Sequence, residues 1–347
     1  FIFKDCVSVG FIFTENTTNI NMTTPIWDSS VGSQAENGYV ELQIESKSIG
    51  QYAFYGLSSV TNVKLPTTLT GINDYAFYGF TSPFALNLNS ATNIGKYAFY
   101  GCTGVTVINL PVATTIGENA FYGCSGAESI NLPVATSIGE NAFKGCSGAK
   151  TIYLGATNIT YGNNCFADTT GCTEIYLGSI NFAQNSNALS RMGSGKTLTM
   201  TLGKSVSAIN GTLQTSHIGT TGSINLVLEE GSNLNSVGAS AFENNSILTS
   251  VDFSNSAKNV SYNAKAFNNC ANLKTFSSNT GTATLTTLSF GNLKKLETLN
   301  WNASSTTLGW STQLQAKVTF TSAATTASSH TGSNVSPQKS STASMTL

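Results

Sequence analysis

The sequence predicts a mainly β solenoid of about 12–13 short parallel strands, with short helical turns on the side opposite the strands. Three observations predict it. A unit of 22 or 23 residues recurs along the 347-residue chain. Each unit carries one short segment in which apolar and polar residues alternate. No unit holds enough apolar side chains to bury its own face, so neighbours must stack on it.

The repeat is plainest at 108–127, INLPVATTIGENAFYGCSGA, and 130–149, INLPVATSIGENAFKGCSGA, which differ only at Thr115/Ser137 and Tyr122/Lys144. Its Phe recurs at Phe54, Phe77, Phe99, Phe121, Phe143 and Phe166, and again at Phe242, Phe267 and Phe290, with Leu189 and Leu213 filling the slot between. The strands follow from period-two alternation, which sets the outer pair of each triplet on one face and the middle residue on the other. Successive triplets are Val63–Leu65, Leu86–Leu88, Ile108–Leu110, Ile130–Leu132, Ile152–Leu154 and Ile175–Leu177. Later candidates are Met200–Leu202, Ile224–Leu228, Val251–Phe253, Leu273–Phe276, Leu299–Trp301 and Val318–Phe320, and Val40–Ile44 precedes them all. After each strand, pairs such as Ile116-Gly117 should turn the chain. Asn119-Ala120-Phe121 should then form one helical turn with Phe inward and Cys124 on the same face.

This pattern, roughly I-G-x-x-A-F-x-G-C-x-x-L-x-x-I-x-L-P, resembles the BspA-like leucine-rich repeat family. The match is close over 49–177, recognisable over 237–301 and weak over 178–236. Ala127, Ala149 and Thr173 stand where the family usually has Leu, which predicts a thinner core in those coils. The resemblance implies a right-handed solenoid, usually on a cell surface, engaged in binding or adhesion and without catalytic activity. No ligand transfers with it.

Charged residues are only 10% of the chain and the net charge is −1, while Ser and Thr together reach 26%. A basic face able to displace many DNA counterions is therefore not expected, nor an acidic solvating tail. No stretch approaches the ~18 apolar residues of a membrane span. The composition is that of a neutral, hydroxyl-rich protein found outside cells or on their surface.

Three regions are expected: an N-terminal cap with strands over 1–45, the solenoid over 46–301 with its degenerate repeats at 178–236, and a last strand with a Ser/Thr-rich tail over 302–347. The chain opens without an initiator Met or a secretion signal, which suggests a removed leader or a fragment. The tail reads as a linker or a glycosylated stalk. Acceptor tripeptides at Asn16, Asn21, Asn158, Asn210, Asn244, Asn259, Asn302 and Asn334 are no more frequent than the composition produces by chance.

Of seven cysteines, Cys102, Cys124, Cys146 and Cys270 share one repeat position. Parallel side chains on adjacent coils hold their Cβ atoms too far apart for a bridge, so buried free thiols are expected. Cys165 and Cys172 flank an insertion and could bridge, and Cys6 is left to pair between molecules. With only His217 and His330 in the chain, neither near a Cys cluster, no metal site is expected.

Two apparent motifs dissolve. Gly193-Ser194-Gly195-Lys196-Thr197 resembles the end of a phosphate loop, but the required earlier Gly is Ser190 and a strand rather than a helix should follow. Leu65-Pro66-Thr67-Thr68 resembles a wall-anchoring signal but lacks its Gly and is the end of a coil strand. With no G-x-S-x-G elbow, two His and one Arg, nothing argues for an enzyme or a cofactor.

Two surfaces are candidates for binding. The strand-face residues Lys64, Asn87, Asn109, Asn131, Tyr153 and Tyr176 should lie one above another, the amides sharing hydrogen bonds along the sheet. On the turns, Tyr52, Tyr55, Tyr75, Tyr78, Tyr97, Tyr100 and Tyr122 should form a stripe, at least half exposed, that ends near Asn119, Asn141 and Lys144. The expected function is adhesion or recognition of a host or matrix protein, a glycan or another copy of the chain. The rival is a self-assembling subunit of an extracellular filament or sheath, joined through its N- and C-terminal segments. Folding of residues 1–45 and 302–347 back on their own chain would separate the two.

Overall fold

The computed structural model describes residues 9–13, 40–44, 47–56, 62–180, 187–209, 222–279, 293–302, 317–320 and 343–346. For 9–13, 40–44, 62–64, 317–320 and 343–346, and for Asn279, Leu299, Trp301 and Asn302, the description is of backbone alone. Expectations for Cys6, Leu213, His217, Phe290, His330 and most of the N-terminal cap and C-terminal tail lie outside these residues.

The protein is a parallel β-solenoid. All thirteen expected strands are present, from Val40–Ile44 to Lys317–Phe320, and Val9–Phe13 and Ala343–Thr346 add one at each end. The alternation is realised as read: in Ser129–Leu132 the side chains of Ile130 and Leu132 are buried while Ser129 and Asn131 reach the surface.

The chain divides into two compact units, residues 1–172 with 185–194 and residues 173–184 with 195–347, the division falling around the degenerate repeats. In the first unit Val9–Phe13, Val40–Ile44 and Asn62–Lys64 pair in parallel. A second parallel run joins Phe84–Asn87, Val105–Asn109, Ser129–Leu132 and Thr151–Leu154, with Ile108, Ile130 and Ile152 in register. In the second unit Glu174–Leu177, Thr197–Leu202, Ser223–Leu228, Leu248–Phe253, Thr275–Asn279, Thr298–Asn302 and Lys317–Phe320 run parallel. Ala343–Thr346 returns antiparallel on Lys317–Phe320.

The pairs read as turns after each strand form further ladders. Ser48–Ile49, Gly71–Ile72, Asn93–Ile94, Thr115–Ile116, Ser137–Ile138 and Thr160–Tyr161 pair in parallel, burying one aliphatic or aromatic side chain per coil. Ala208–Ile209, Ser236–Val237 and Ser261–Tyr262 do the same in the second unit.

The helical turn expected around each Phe does not form; no helix occurs among the described residues. The residues two before and two after the Phe have left-handed backbones, as at Tyr97 (φ 56°) and Gly101 (φ 69°) around Phe99. Such residues cannot continue a right-handed helix. Instead, alternate N–H groups reach the next coil. Tyr52, Phe54 and Gly56 donate to the carbonyls of Asp74, Ala76 and Tyr78 at 3.1, 2.7 and 2.7 Å, while Ala53 and Tyr55 close tight turns on Gly50 and Tyr52. A helix would direct these donors along its own chain and leave the next coil's carbonyls unpaired.

Between the ladders lies a core of stacked rings. Phe54, Phe77, Phe99, Phe121, Phe143 and Phe166 are fully buried, with centroids 5.1 or 5.2 Å apart. Burying one such ring contributes roughly 1.5–3 kcal/mol. Phe242 and Phe267 continue the motif in the second unit at 5.0 Å. Ala127 and Ala149, in the slot where the family has Leu, are also fully buried.

All six described cysteines are buried and none is in a disulfide, Cys165 and Cys172 included, so the bridge considered between those two is not formed. The thiols of Cys102, Cys124 and Cys146 donate to the carbonyls of Phe77, Phe99 and Phe121 at 3.0, 3.1 and 3.3 Å. Burial pushes Cys102, Cys165 and Cys270 up to about 12 from the ordinary thiol value. Because the folded value lies above the unfolded one, their contribution to stability is complete below about pH 9 and is lost as pH climbs towards 12. A thiol reagent at neutral pH should modify these six only in step with unfolding; rapid labelling of the native chain at Cys124 would contradict this packing.

Candidate functional site

The tyrosines of the turns form two columns. Tyr52, Tyr75 and Tyr97 stack at 4.9 and 4.8 Å between centroids, and Tyr55, Tyr78, Tyr100 and Tyr122 stack at 4.7, 4.8 and 4.8 Å. The columns touch through the 52/55, 75/78 and 97/100 pairs at 5.8, 6.0 and 5.7 Å. Coil stacking sets this spacing, since each tyrosine sits two residues before or one after a Phe of the core ladder. The Lys144 ammonium lies 6.0 Å from the Tyr122 ring centre and marks the end of the stripe.

All seven rings are half-buried rather than at least half exposed. Each covers the face of its neighbour, so the surface receives ring edges and hydroxyls. Burial, with the neighbouring tyrosines adding to it, raises the Tyr75 and Tyr78 hydroxyls above the ordinary phenol value. At neutral pH they are donors as well as acceptors.

The first column has a conformational cost. Tyr52, Tyr75 and Tyr97 have φ of 58, 59 and 56°, in the slot that Asn119, Asn141 and Asn164 occupy in later coils. Asn tolerates this backbone, whereas a bulky side chain is disfavoured there by roughly 1–2 kcal/mol. Each aromatic contact returns about 0.5–1.5 kcal/mol beyond the area it buries. Ring contacts along and between the columns offset this backbone cost, so the slot holds tyrosine only where a second ring stacks on it.

The strand face is only partly the row that the repeat predicts. Asn87, Asn109, Asn131 and Tyr153 follow one another in register, and Asn131 donates its amide to Asn109 Oδ1 at 2.7 Å. Tyr153 is 40% exposed, and Val112 and Val134 are exposed to 39 and 41%. Lys64 belongs to a strand paired with Val40–Ile44 and is described as backbone alone. Tyr176, in the second unit, is in register with Thr201, and its hydroxyl donates to Glu229 Oε2 at 2.6 Å. That hydrogen bond, helped by the Lys204 N–H at 3.0 Å on the same oxygen, holds the Glu229 carboxyl below its ordinary value. The Tyr176 hydroxyl is thus engaged within the fold.

The Gly193–Thr197 motif leads into the strand Thr197–Leu202, so the helix that a phosphate loop requires is not there. Among the described residues no group of three or more His, Cys, Asp or Glu is placed to hold a metal ion. No helix among them is long and apolar enough to cross a membrane.

One surface escaped the sequence reading. A groove of about 340 Å³ in the second unit is lined by Lys196, Lys274 and Lys295 together with Thr197, Ser223 and Asn272. The available signal was a lysine directly before the strands at Thr197 and Thr275, but the irregular spacing there hid their alignment.

Comparison with known proteins agrees with the repeat. The family model described as "BspA type Leucine rich repeat region" matches in six copies, over residues 33–115, 92–213 and 221–326. No curated protein is significantly similar to the chain. Among solved structures, a leucine-rich repeat protein from Bacteroides ovatus ATCC 8483 is 14% identical, with a TM-score of 0.36, covering 84% of this chain and 89% of that one. A leucine rich cell surface protein from Faecalibacterium prausnitzii A2-165 is 19% identical, with a TM-score of 0.32, covering 75% and 78%. The family model spans most of the chain in tandem copies that coincide with the stacked coils, and the protein belongs to the BspA-type leucine-rich repeat family.

Proposed function

We propose that this chain is a non-enzymatic, extracellular or cell-surface recognition protein that adheres to a protein or glycan through its tyrosine stripe, with the Asn109–Asn131–Tyr153 strand face as a secondary surface. The observation that carries the reading is tyrosine in the left-handed slot of three successive coils, where Asn would be relaxed. Seven hydroxyls on two columns at ~4.8 Å spacing present a periodic surface, apolar in body and polar at the tips. Tyrosine is enriched at contact surfaces for this combination of low side-chain entropy and two-sided chemistry.

The filament reading draws less support. The described strands at both ends, Val9–Phe13 and Ala343–Thr346, pair with neighbouring strands of their own chain. The segments that would serve as joints are thus engaged within their own chain.

The test is retention on immobilised matrix proteins and neutral glycans. The chain should be captured by at least one, and Tyr55→Ser, Tyr78→Ser and Tyr100→Ser together should weaken capture at least about tenfold, the loss of a few central aromatic contacts. Capture unaffected by the triple substitution would refute the stripe as the contact surface.

A further inference from the structure

Cations in this protein are scarce, and five of them are paired between coils. Lys96, Lys150, Arg191, Lys204 and Lys265 each lie within 4.0 Å of a carboxylate, on Glu118, Glu128, Asp168, Glu229 and Glu243 respectively. Lys274 and Lys295 depart from this: among the described residues no carboxylate lies within that distance of either. Both line the groove of the second unit, with Lys196 as a third cation.

The groove is built on strand starts. Ser223 N donates to Lys196 O at 2.9 Å, and Lys274 N donates to Thr249 O at 2.9 Å, so the coils that carry the lysines are tied through the ladder. Its wall is a network of neutral polar groups. The Thr197 and Ser223 hydroxyls are 2.9 Å apart, Asn272 donates to Ser246 O at 2.6 Å, and Lys295 Nζ donates to Asn272 Oδ1 at 2.7 Å. Held this way, Lys295 presents its remaining N–H donors to the groove.

We propose that this groove binds an acidic oligosaccharide, a run of sugars bearing carboxylate or sulfate groups. Cations gathered in one cleft focus a field that attracts anions, and hydroxyls and an amide between them match the hydroxyls of a sugar chain. The lining has no aromatic ring and no arginine. A nucleic-acid strand would want rings to stack its bases. The strands at Thr197, Ser223, Leu248 and Thr275 give the groove a length of roughly 14 Å at ~4.8 Å per step, enough for several sugars and too long for one small anion. The site is independent of the tyrosine stripe.

The experiment is calorimetric titration of the full chain at low ionic strength with two probes, an oligogalacturonate for carboxylate and a heparin-derived oligosaccharide for sulfate. Neutral dextran, inorganic phosphate and a single-stranded oligonucleotide are the comparisons. At least one acidic oligosaccharide should bind, the better of the two naming the anionic group, and affinity should fall as salt rises. Lys274→Gln with Lys295→Gln should weaken it at least about tenfold, and Lys274→Glu should abolish it. Both lysines are exposed, so the variants should fold, and capture through the tyrosine stripe should be unchanged. No binding of either acidic oligosaccharide, equal binding of phosphate or the oligonucleotide, or indifference to both variants would overturn the proposal.

Discussion

Phe121→Ala is expected to lower stability by about 3–5 kcal/mol, the loss found when a large aromatic leaves a closed core. Phe121 is fully buried and stacks on Phe99 and Phe143 at 5.1 Å on either side. Its neighbours cannot collapse into the space, because their backbones are fixed by the ladder: Phe99 N donates to Ala120 O and Phe121 N to Ala142 O, each at 2.7 Å. Stability in a solenoid is transmitted between adjacent coils, so the loss should extend to both sides of the substitution. Hydrogen exchange should show protection falling most at coils 95–102 and 139–146. Equilibrium unfolding with a loss under ~1 kcal/mol would show that the ring ladder is not the core of the first unit.

Gly126→Ala is expected to cost about 3 kcal/mol, as overpacking against a backbone that has no room to give. An added Cβ would stand 2.1 Å from the carbonyl oxygen of Thr103 and 3.1 Å from that of Val105. The segment is held on either side, Ala127 N donating to Cys124 O at 3.2 Å and Glu128 N to Thr106 O at 2.8 Å. Gly101→Ala is the contrasting case. Its Cβ would meet nothing within 4 Å, and the cost is the left-handed backbone alone, about 1 kcal/mol. Thermal unfolding of the two variants should therefore separate crowding from backbone strain. Equal losses would mean that the close approach of coils at Gly126 relaxes freely.

Much of this fold was legible because the repeat carries its own register. Once Phe99, Phe121 and Phe143 align, Ile108, Ile130 and Ile152 must share a ladder, as they do. The second ladder was not legible: a segment of two residues such as Thr115–Ile116 is too short for alternation to distinguish strand from turn. The left-handed slots were hidden for a different reason. Gly and Asn announce such a backbone, but Tyr75 and Tyr97 do not, and their 75/78 and 97/100 spacing imitates a helical face. The bond from Tyr176 to Glu229 joins residues 53 apart across a stretch where the repeat length drifts, so no spacing rule could have paired them. The stripe, in contrast, was visible as a recurrence, although its half-buried state depends on ring stacking that spacing alone does not reveal.

The claim at the centre of this account is that the tyrosines of the left-handed slot serve contact rather than folding. It is tested without knowledge of the ligand by the thermal unfolding of a Tyr52→Asn, Tyr75→Asn, Tyr97→Asn variant. Removing three strained residues offsets the lost ring contacts, so the midpoint should stay within about 5 °C of the parent, corresponding to a net change of no more than ~2 kcal/mol. A fall well beyond that would make the column a structural element of the coils and would contradict the assignment of this surface to recognition.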